Sequence, residues 1–224
     1  MGNKKNERAI IVANGVISDP GLTYKRVTGL FDFVDCIIIS ADGGAENALK
    51  MNLVPDVVIG DMDSIKATVK ENIREKSNKT RYISTSANKD KSDTQLAVEY
   101  ALDLGIKKMI ILGALGDRID HAMANILLLT SPFLRDIDIR ILTDTIEIFI
   151  MRNSGTLTGN IGGTVTLISL SPYTYFIKTK GLKYELENEK LMFSPVRGIS
   201  NVFTEKKAYI KIKGGTLLII KQLQ

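Results

Sequence analysis

The chain of 224 residues has no Trp, one Cys, one His, five Pro and no Asp after position 144. A lone Cys36, set in the apolar stretch 34–39, cannot close an internal disulfide and reads as a buried small hydrophobe. One Cys and one His leave no ligand set for a structural zinc. The longest apolar runs, such as 126–130 and 216–220, fall far short of the roughly 20 residues a membrane helix needs. Residues 1–8 are polar and lysine-bearing, with no long apolar region and no small-residue cleavage site, so a cytoplasmic address without membrane association is expected. Lys and Arg never run beyond a pair and form no recognisable nucleic-acid module, so no nucleic-acid partner is expected. There is no Gly-x-x-x-x-Gly-Lys-Ser/Thr loop, which excludes a P-loop enzyme.

What is present is unevenly spread. The 44% hydrophobic content argues against disorder. The net charge of +5 conceals two halves: residues 1–145 carry 19 basic and 20 acidic side chains, residues 146–224 carry 11 and 5. All 15 Asp fall in the first part, whereas Glu divides evenly. Electrostatic balance alone does not distinguish Asp from Glu, so the asymmetry needs a chemical or backbone cause.

In the first part, Ile- and Val-rich runs at 9–13, 36–39, 57–59, 81–84, 109–112 and 137–142 read as strands. Between them helical spacing appears at 44–51, 65–76, 93–104 and 120–130. The third helix is well punctuated: Ser92 and Gln95 form a capping-box pattern, and Gly105 follows the last apolar position. This alternation predicts an α/β domain, a mainly parallel, Rossmann-like sheet with helices on both faces. After about residue 146 the helix signal stops. Runs at 164–170, 175–179, 182–186, 191–193, 208–213 and 216–221 read as strands, with Gly214-Gly215 as a two-residue hairpin loop. The expectation is an α/β domain over 1–145 and a small all-β sandwich over 146–224.

Ligands of open α/β sheets bind at the carboxyl ends of the strands, and four acidic clusters fall there. They are Asp42-Gly43-Gly44, Gly60-Asp61-Met62-Asp63-Ser64, Lys89-Asp90-Lys91-Ser92-Asp93, and Gly113 through Gly116-Asp117-Arg118-Ile119-Asp120-His121. On extended backbone, Asp61 and Asp63 project to one face about 6–7 Å apart and close around a hard cation. The alternative is ordinary turn and cap chemistry, with Asp63-Ser64 opening the next helix. Asp42-Gly43-Gly44 suits close backbone approach to phosphate, or simply a tight strand-to-helix turn. Asp93 complements a helix dipole, which leaves Asp90 as the better ligand candidate of that pair. Arg118 offers a planar fork to phosphate, and His121 occupies a first helical turn. Clustered Asp edged by Arg and Lys favours Mg²⁺ with a polyphosphate.

In order and spacing, Ala-Asp-Gly-Gly-Ala, Pro55-Asp56 through Gly-Asp-Met-Asp-Ser-Ile, Lys-Asp-Lys-Ser-Asp-Thr and Leu-Gly-Asp-Arg-Ile-Asp-His-Ala-Met-Ala-Asn resemble the thiamine pyrophosphokinase family. Gly181-Leu182-Lys183-Tyr184 and Arg197-Gly198-Ile199-Ser200-Asn201 resemble that family's β-domain signatures. The resemblance implies transfer of pyrophosphate from ATP to the hydroxyl of thiamine, giving thiamine diphosphate and AMP. It implies Mg²⁺ and ATP-phosphate binding by Asp42, Asp61, Asp63 and Asp90, with Asp61, Asp63, Asp90 and Arg118 catalytic. Gly43, Asp93, Gln95, Arg118, Asp120 and His121 join Asp42 on the ATP side, and Ser200 and Asn201 hold thiamine. It further implies a homodimer whose active site lies in a cleft completed by the partner's β-domain. Some members stack thiamine on a Trp; the candidates in its place are Phe203, Tyr173 and Tyr175. Two rival readings use the same residues: an Mg-dependent nucleotide phosphohydrolase and a non-catalytic thiamine- or nucleotide-binding protein.

Overall fold

Short β-branched runs and amphipathic helices alternate up to Asp144 and give way to strands alone beyond it. The chain accordingly divides into two compact units, Met1–Asp144 and Thr145–Gln224. It is a mixed α/β protein. The computed structural model describes residues 7–30, 36–85 and 90–223; Lys89 and the start of the apolar stretch at 34–35 lie outside the described residues. Among the described residues no helix is long and apolar enough to cross a membrane.

In the first unit the strands are β1 (Arg8–Val12), β2 (Cys36–Ala41), β3 (Val57–Gly60), β4 (Arg81–Ser84), β5 (Lys108–Leu112) and β6 (Asp138–Leu142). They pair in parallel in the order β6-β5-β1-β2-β3-β4. The central strands are apolar and buried on both faces: Ile10, Ile11, Val12, Ile110, Ile111 and Leu112 are all fully buried. The helices are α1 (Pro20–Leu30), α2 (Gly44–Lys50), α3 (Ala67–Lys76), α4 (Asp93–Asp103) and α5 (Ile119–Leu128). α1 carries no strong helical pattern in the sequence, because its buried face is only Thr23 and Val27. Its signal lay in Asp19-Pro20: the Asp19 carboxylate accepts the Leu22 N–H at 2.8 Å, and Pro20 opens the first turn. Ser92 caps α4 as expected, accepting the Gln95 N–H at 3.2 Å. The Gln95 side chain does not return to Ser92 but donates to Glu99 at 2.9 Å, so only half of the capping box forms.

The second unit contains β7 (Ile146–Met151), β8 (Gly155–Thr158), β9 (Thr164–Ser169), β10 (Tyr173–Lys180), β11 (Glu187–Met192), β12 (Asn201–Val202), β13 (Lys207–Gly214) and β14 (Leu217–Gln222). All pairings are antiparallel, in the orders β12-β9-β14-β7 and β11-β10-β13-β8. Side chains of both sheets, among them Val165, Leu167, Phe176, Leu191, Ile210 and Leu217, share one buried core. The expected Gly214-Gly215 hairpin does not occur, because β13 and β14 belong to different sheets. Gly215, at φ 107°, instead carries the chain from one sheet to the other, and a Cβ there would lie 2.7 Å from Thr174 Cα. Residues 182–186 likewise form no strand, only a bridge from Leu182 to Phe203.

Candidate active site

The strand order reverses between β1 and β5: the chain winds outward through β2, β3 and β4, then returns to the other side of β1. Loops leaving two such strands diverge and open a crevice at their carboxyl ends. Here the first loop residues remain paired, with the Gly15 N–H donating to Gly113 O and the Val16 N–H to Leu115 O, both at 2.7 Å. Two buried amides brace them. Asn47 of α2 donates to the Ala13 and Gly15 carbonyls at 3.0 and 2.8 Å, and Asn125 of α5 donates to Ala114 O at 2.8 Å. Gly113 sits at φ 61°, and a Cβ there would strike the Ala13 carbonyl. The result is a crevice of about 590 Å³ walled by backbone and bordered by Asn14, Asp42, Asp61, Lys91, Asp93, Asp117, Arg118 and His121.

Asp42 is the most informative of these. It is 6% exposed, has φ 44°, and its Oδ1 is buried with no hydrogen-bond partner among the described residues, as is Ser40 Oγ two residues earlier. A partnerless carboxylate oxygen is costly in a folded protein, and a bound cation satisfies it. Gly60, at φ 156°, leaves the space that Asp42 uses: a Cβ there would lie 2.8 Å from Asp42 Cβ and 3.3 Å from Asp93 Oδ1. Asp61 also borders the crevice, but the Asp-x-Asp segment is not extended. Met62 is left-handed at φ 66°, and the Asp63 N–H folds back onto Asp61 Oδ1 at 3.2 Å. Asp61 and Asp63 therefore do not share a face; Asp63 points to solvent. Asp90 is also exposed, and neither it nor Asp63 lines the crevice. Asp93, assigned by sequence only to the nucleotide side, lies there instead.

Among the described residues no three His, Cys, Asp or Glu side chains are grouped to enclose a metal ion. Mg²⁺ commonly takes one or two protein carboxylates and completes its octahedron with waters and substrate phosphates. Short oxygen donors on Asp42, Asp61 and Asp93, one of them unpartnered, fit that shared mode.

Two cations border the same crevice, and each is held by a carboxylate outside it. Arg118 forms a fork with Asp120 at 3.0 and 2.6 Å; this hydrogen bond raises the guanidinium pKa and pulls the Asp120 carboxyl down to about 2. Lys91 donates to Glu99 at 2.7 Å and lowers the Glu99 pKa, while Gln95 holds the other Glu99 oxygen. Gln95 and Asp120 thus act on neighbours and do not line the crevice. Gly43 packs closely on the Asn14 side chain and starts α2. Sequence reasoning missed Asn14, Asn47, Asn125 and Lys91. Asn47 and Asn125 brace carbonyls distant in sequence, a relation no local pattern encodes.

The second unit has its own cavity of about 480 Å³, bordered by Tyr184, Glu185, Glu189, Arg197, Ser200 and Asn201 over an apolar floor that includes Leu167 and Leu191. Ser200 is exposed at φ 56°, its N–H bonded to Thr166 Oγ1 at 3.1 Å. Asn201 is 5% exposed and spends its amide on backbone: Nδ2 donates to Tyr184 O at 2.8 Å, and Oδ1 accepts the N–H groups of Tyr184 and Val202 at 3.0 and 2.9 Å. It builds the pocket wall by holding Tyr184, a residue 58% exposed. Arg197 pairs with Glu189. Of the aromatic candidates, Phe203 is buried in the core beneath Gly159, and Tyr173 lies under Lys190 Nζ at 4.1 Å. Neither Tyr173 nor Tyr175 borders the cavity; Tyr184 does.

Comparison with known proteins places both halves. Residues 34–141 match the family model described as thiamin pyrophosphokinase, catalytic domain, and residues 147–217 match thiamin pyrophosphokinase, vitamin B1 binding domain. The thiamine pyrophosphokinase of Bacillus subtilis is 26% identical over 210 residues, covering 93% of this chain and 97% of the relative. Thiamine pyrophosphokinase 1 of Oryza sativa is 26% identical over 198 residues, covering 77% and 74%. The Bacillus subtilis crystal structure superposes with a TM-score of 0.84 at 23% identity over 97% of this chain and 99% of that one. A thiamin pyrophosphokinase family protein from Enterococcus faecalis superposes at 0.79 with 26% identity and the same coverage. With both domain models matched in order, the chain belongs to the thiamine pyrophosphokinase family.

Proposed function

We propose that this chain transfers a pyrophosphoryl group from ATP to the hydroxyl oxygen of thiamine, releasing AMP. The observation that carries the reading is the crevice at the β1/β5 reversal, bordered by Asp42, one of whose carboxylate oxygens has no hydrogen-bond partner among the described residues, by Gly15, Gly113 and Gly116, and by Asp61, Asp93 and Arg118. Asp42, Asp61 and Asp93 would hold Mg²⁺, which when bound supplies charge neutralisation at phosphate oxygens. Arg118 grips the polyphosphate, and the amino ends of α4 and α5 face negative charge favourably. Alignment and neutralisation are most of what phosphoryl-type transfer requires of a protein. The hydroxyl oxygen attacks the β-phosphorus, the bond to the α-phosphate oxygen breaks, AMP leaves with that oxygen, and the hydroxyl proton is released.

The cavity of the second unit suits thiamine: Tyr184 offers an aromatic face, and Glu185 places negative charge beside a cationic ring. Residues 1–145 then form a Rossmann-like catalytic domain, and residues 146–224 a sandwich that binds thiamine and pairs two chains. The active site lies in the cleft of that homodimer. Product analysis tests the reaction. Purified protein with ATP, Mg²⁺ and thiamine is expected to form AMP only when thiamine is present; AMP or ADP formed equally without thiamine would favour the phosphohydrolase reading instead.

A further inference from the structure

Lys91 borders the crevice, yet its ammonium is drawn along α4 to Glu99, eight residues away, at 2.7 Å. Gln95 lies between them and donates to the other Glu99 oxygen at 2.9 Å, which fixes the carboxylate and leaves Oε2 turned to Lys91. Glu99 does not border the crevice. Both members of the pair retain solvent contact, 48% and 28% of their side chains. Such a partly exposed pair is weak, so a stronger anion displaces it readily. A polyphosphate in the crevice is that anion, since an ammonium binds phosphate as a mobile point charge on a four-carbon stem.

We infer that Lys91 is a polyphosphate-binding residue held in reserve by Glu99, with Gln95 positioning Glu99. This deepens the pyrophosphokinase reading and rests on it. With the crevice empty, Lys91 is neutralised on α4. When ATP enters, the ammonium exchanges Glu99 for phosphate oxygens, while Gln95 retains the Glu99 carboxylate. Glu99 is therefore a competitor for Lys91, and its removal strengthens nucleotide binding. No covalent change accompanies the exchange.

A double-mutant cycle on the full chain tests this, with KM for Mg-ATP read from AMP formation at saturating thiamine and dissociation of a nonhydrolysable ATP analogue read by calorimetry. Lys91→Met is expected to raise KM and Kd about tenfold, the range of one charge-assisted hydrogen bond near a surface, with kcat falling less than KM rises. Glu99→Gln is expected to lower both about two- to fivefold, and to lose this effect in the Lys91→Met background. An unchanged KM in Lys91→Met, or a Glu99→Gln effect that persists without Lys91, overturns the inference while leaving the enzyme reading intact. Weaker binding in Glu99→Gln also overturns it, because that marks Glu99 as a support for the fold of α4. No AMP from the unsubstituted enzyme, with the analogue still bound, would instead overturn the reaction assignment.

Discussion

Asp42 combines a left-handed backbone, burial to 6% exposure and an oxygen without a partner. Strain and unsatisfied charge of this sort persist where a ligand compensates them. Asn fits the same space and tolerates the left-handed region, so Asp42→Asn isolates the charge. Turnover is expected to fall by at least about 100-fold, the scale of a lost electrostatic contact to the transferring group. Stability should stay level or rise by about 1 kcal/mol as an unpaired buried charge disappears. Thermal melting alongside AMP formation checks both; undiminished turnover would remove Asp42 from the site. At Asp120 the chemistry is different, since the Arg118 hydrogen bond holds its carboxyl at about 2. A depressed carboxyl contributes stability above its unfolded pKa, about 4, and loses it as pH falls toward the folded value. Carboxyl NMR should show Asp120 titrating near 2 and shifting up in Arg118→Met. Asp120 consequently stays ionised from pH 5 to 9 and explains no change in activity there. Asp42 was legible in sequence as a carboxylate at a strand end. The geometry of Asp61 and Asp63 was not, because the left-handed turn at Met62 carries no glycine to announce it.

Among elements, the antiparallel register of β7 with β14 sets Glu147 opposite Lys221. The pair is 2.6 Å apart with side chains 2% and 14% exposed, and Lys221 also donates to Thr158 O at 3.1 Å, tying β8 of the other sheet to β14. Removing one partner of a buried pair strands the other charge, a cost of about 3–5 kcal/mol. Glu147→Gln is expected near the lower end, because the Thr158 carbonyl remains and Lys221 keeps some solvent. Chemical denaturation of the full chain measures it; a loss under about 1 kcal/mol would show the pair to be dispensable. The parallel strands were legible because strands buried on both faces are written as Ile and Val runs. α1 escaped notice because two buried side chains make too thin a stripe, and the Gly214-Gly215 hairpin was misread because a turn dipeptide does not say which sheet the next strand joins.

For the whole molecule, the proposed function gives the charge asymmetry of the sequence a physical cause. On that reading the aspartates collect in the unit whose crevice takes the polyphosphate, where short carboxylates suit Mg²⁺, and the second unit, with no Asp, has Glu185, Glu189 and Arg197 beside the cavity proposed for thiamine. If the cleft joins the crevice of one subunit to the cavity of its partner, complementary variants should rescue each other. Asp42→Asn mixed with Tyr184→Ala, unfolded and refolded together, is expected to recover about a quarter of wild-type activity, because half of the dimers are mixed and each carries one intact site. No recovery in demonstrably mixed dimers would place both halves of a site on one chain. Which subunit supplies which half was not legible in the residues themselves; only the family resemblance raised it. The most direct measurement of the central claim is the fate of labelled phosphate. With ATP labelled at the β-phosphate, the label is expected in thiamine diphosphate and the unlabelled nucleotide is AMP. Label retained in ADP, with thiamine gaining only the γ-phosphate or nothing, would contradict pyrophosphoryl transfer.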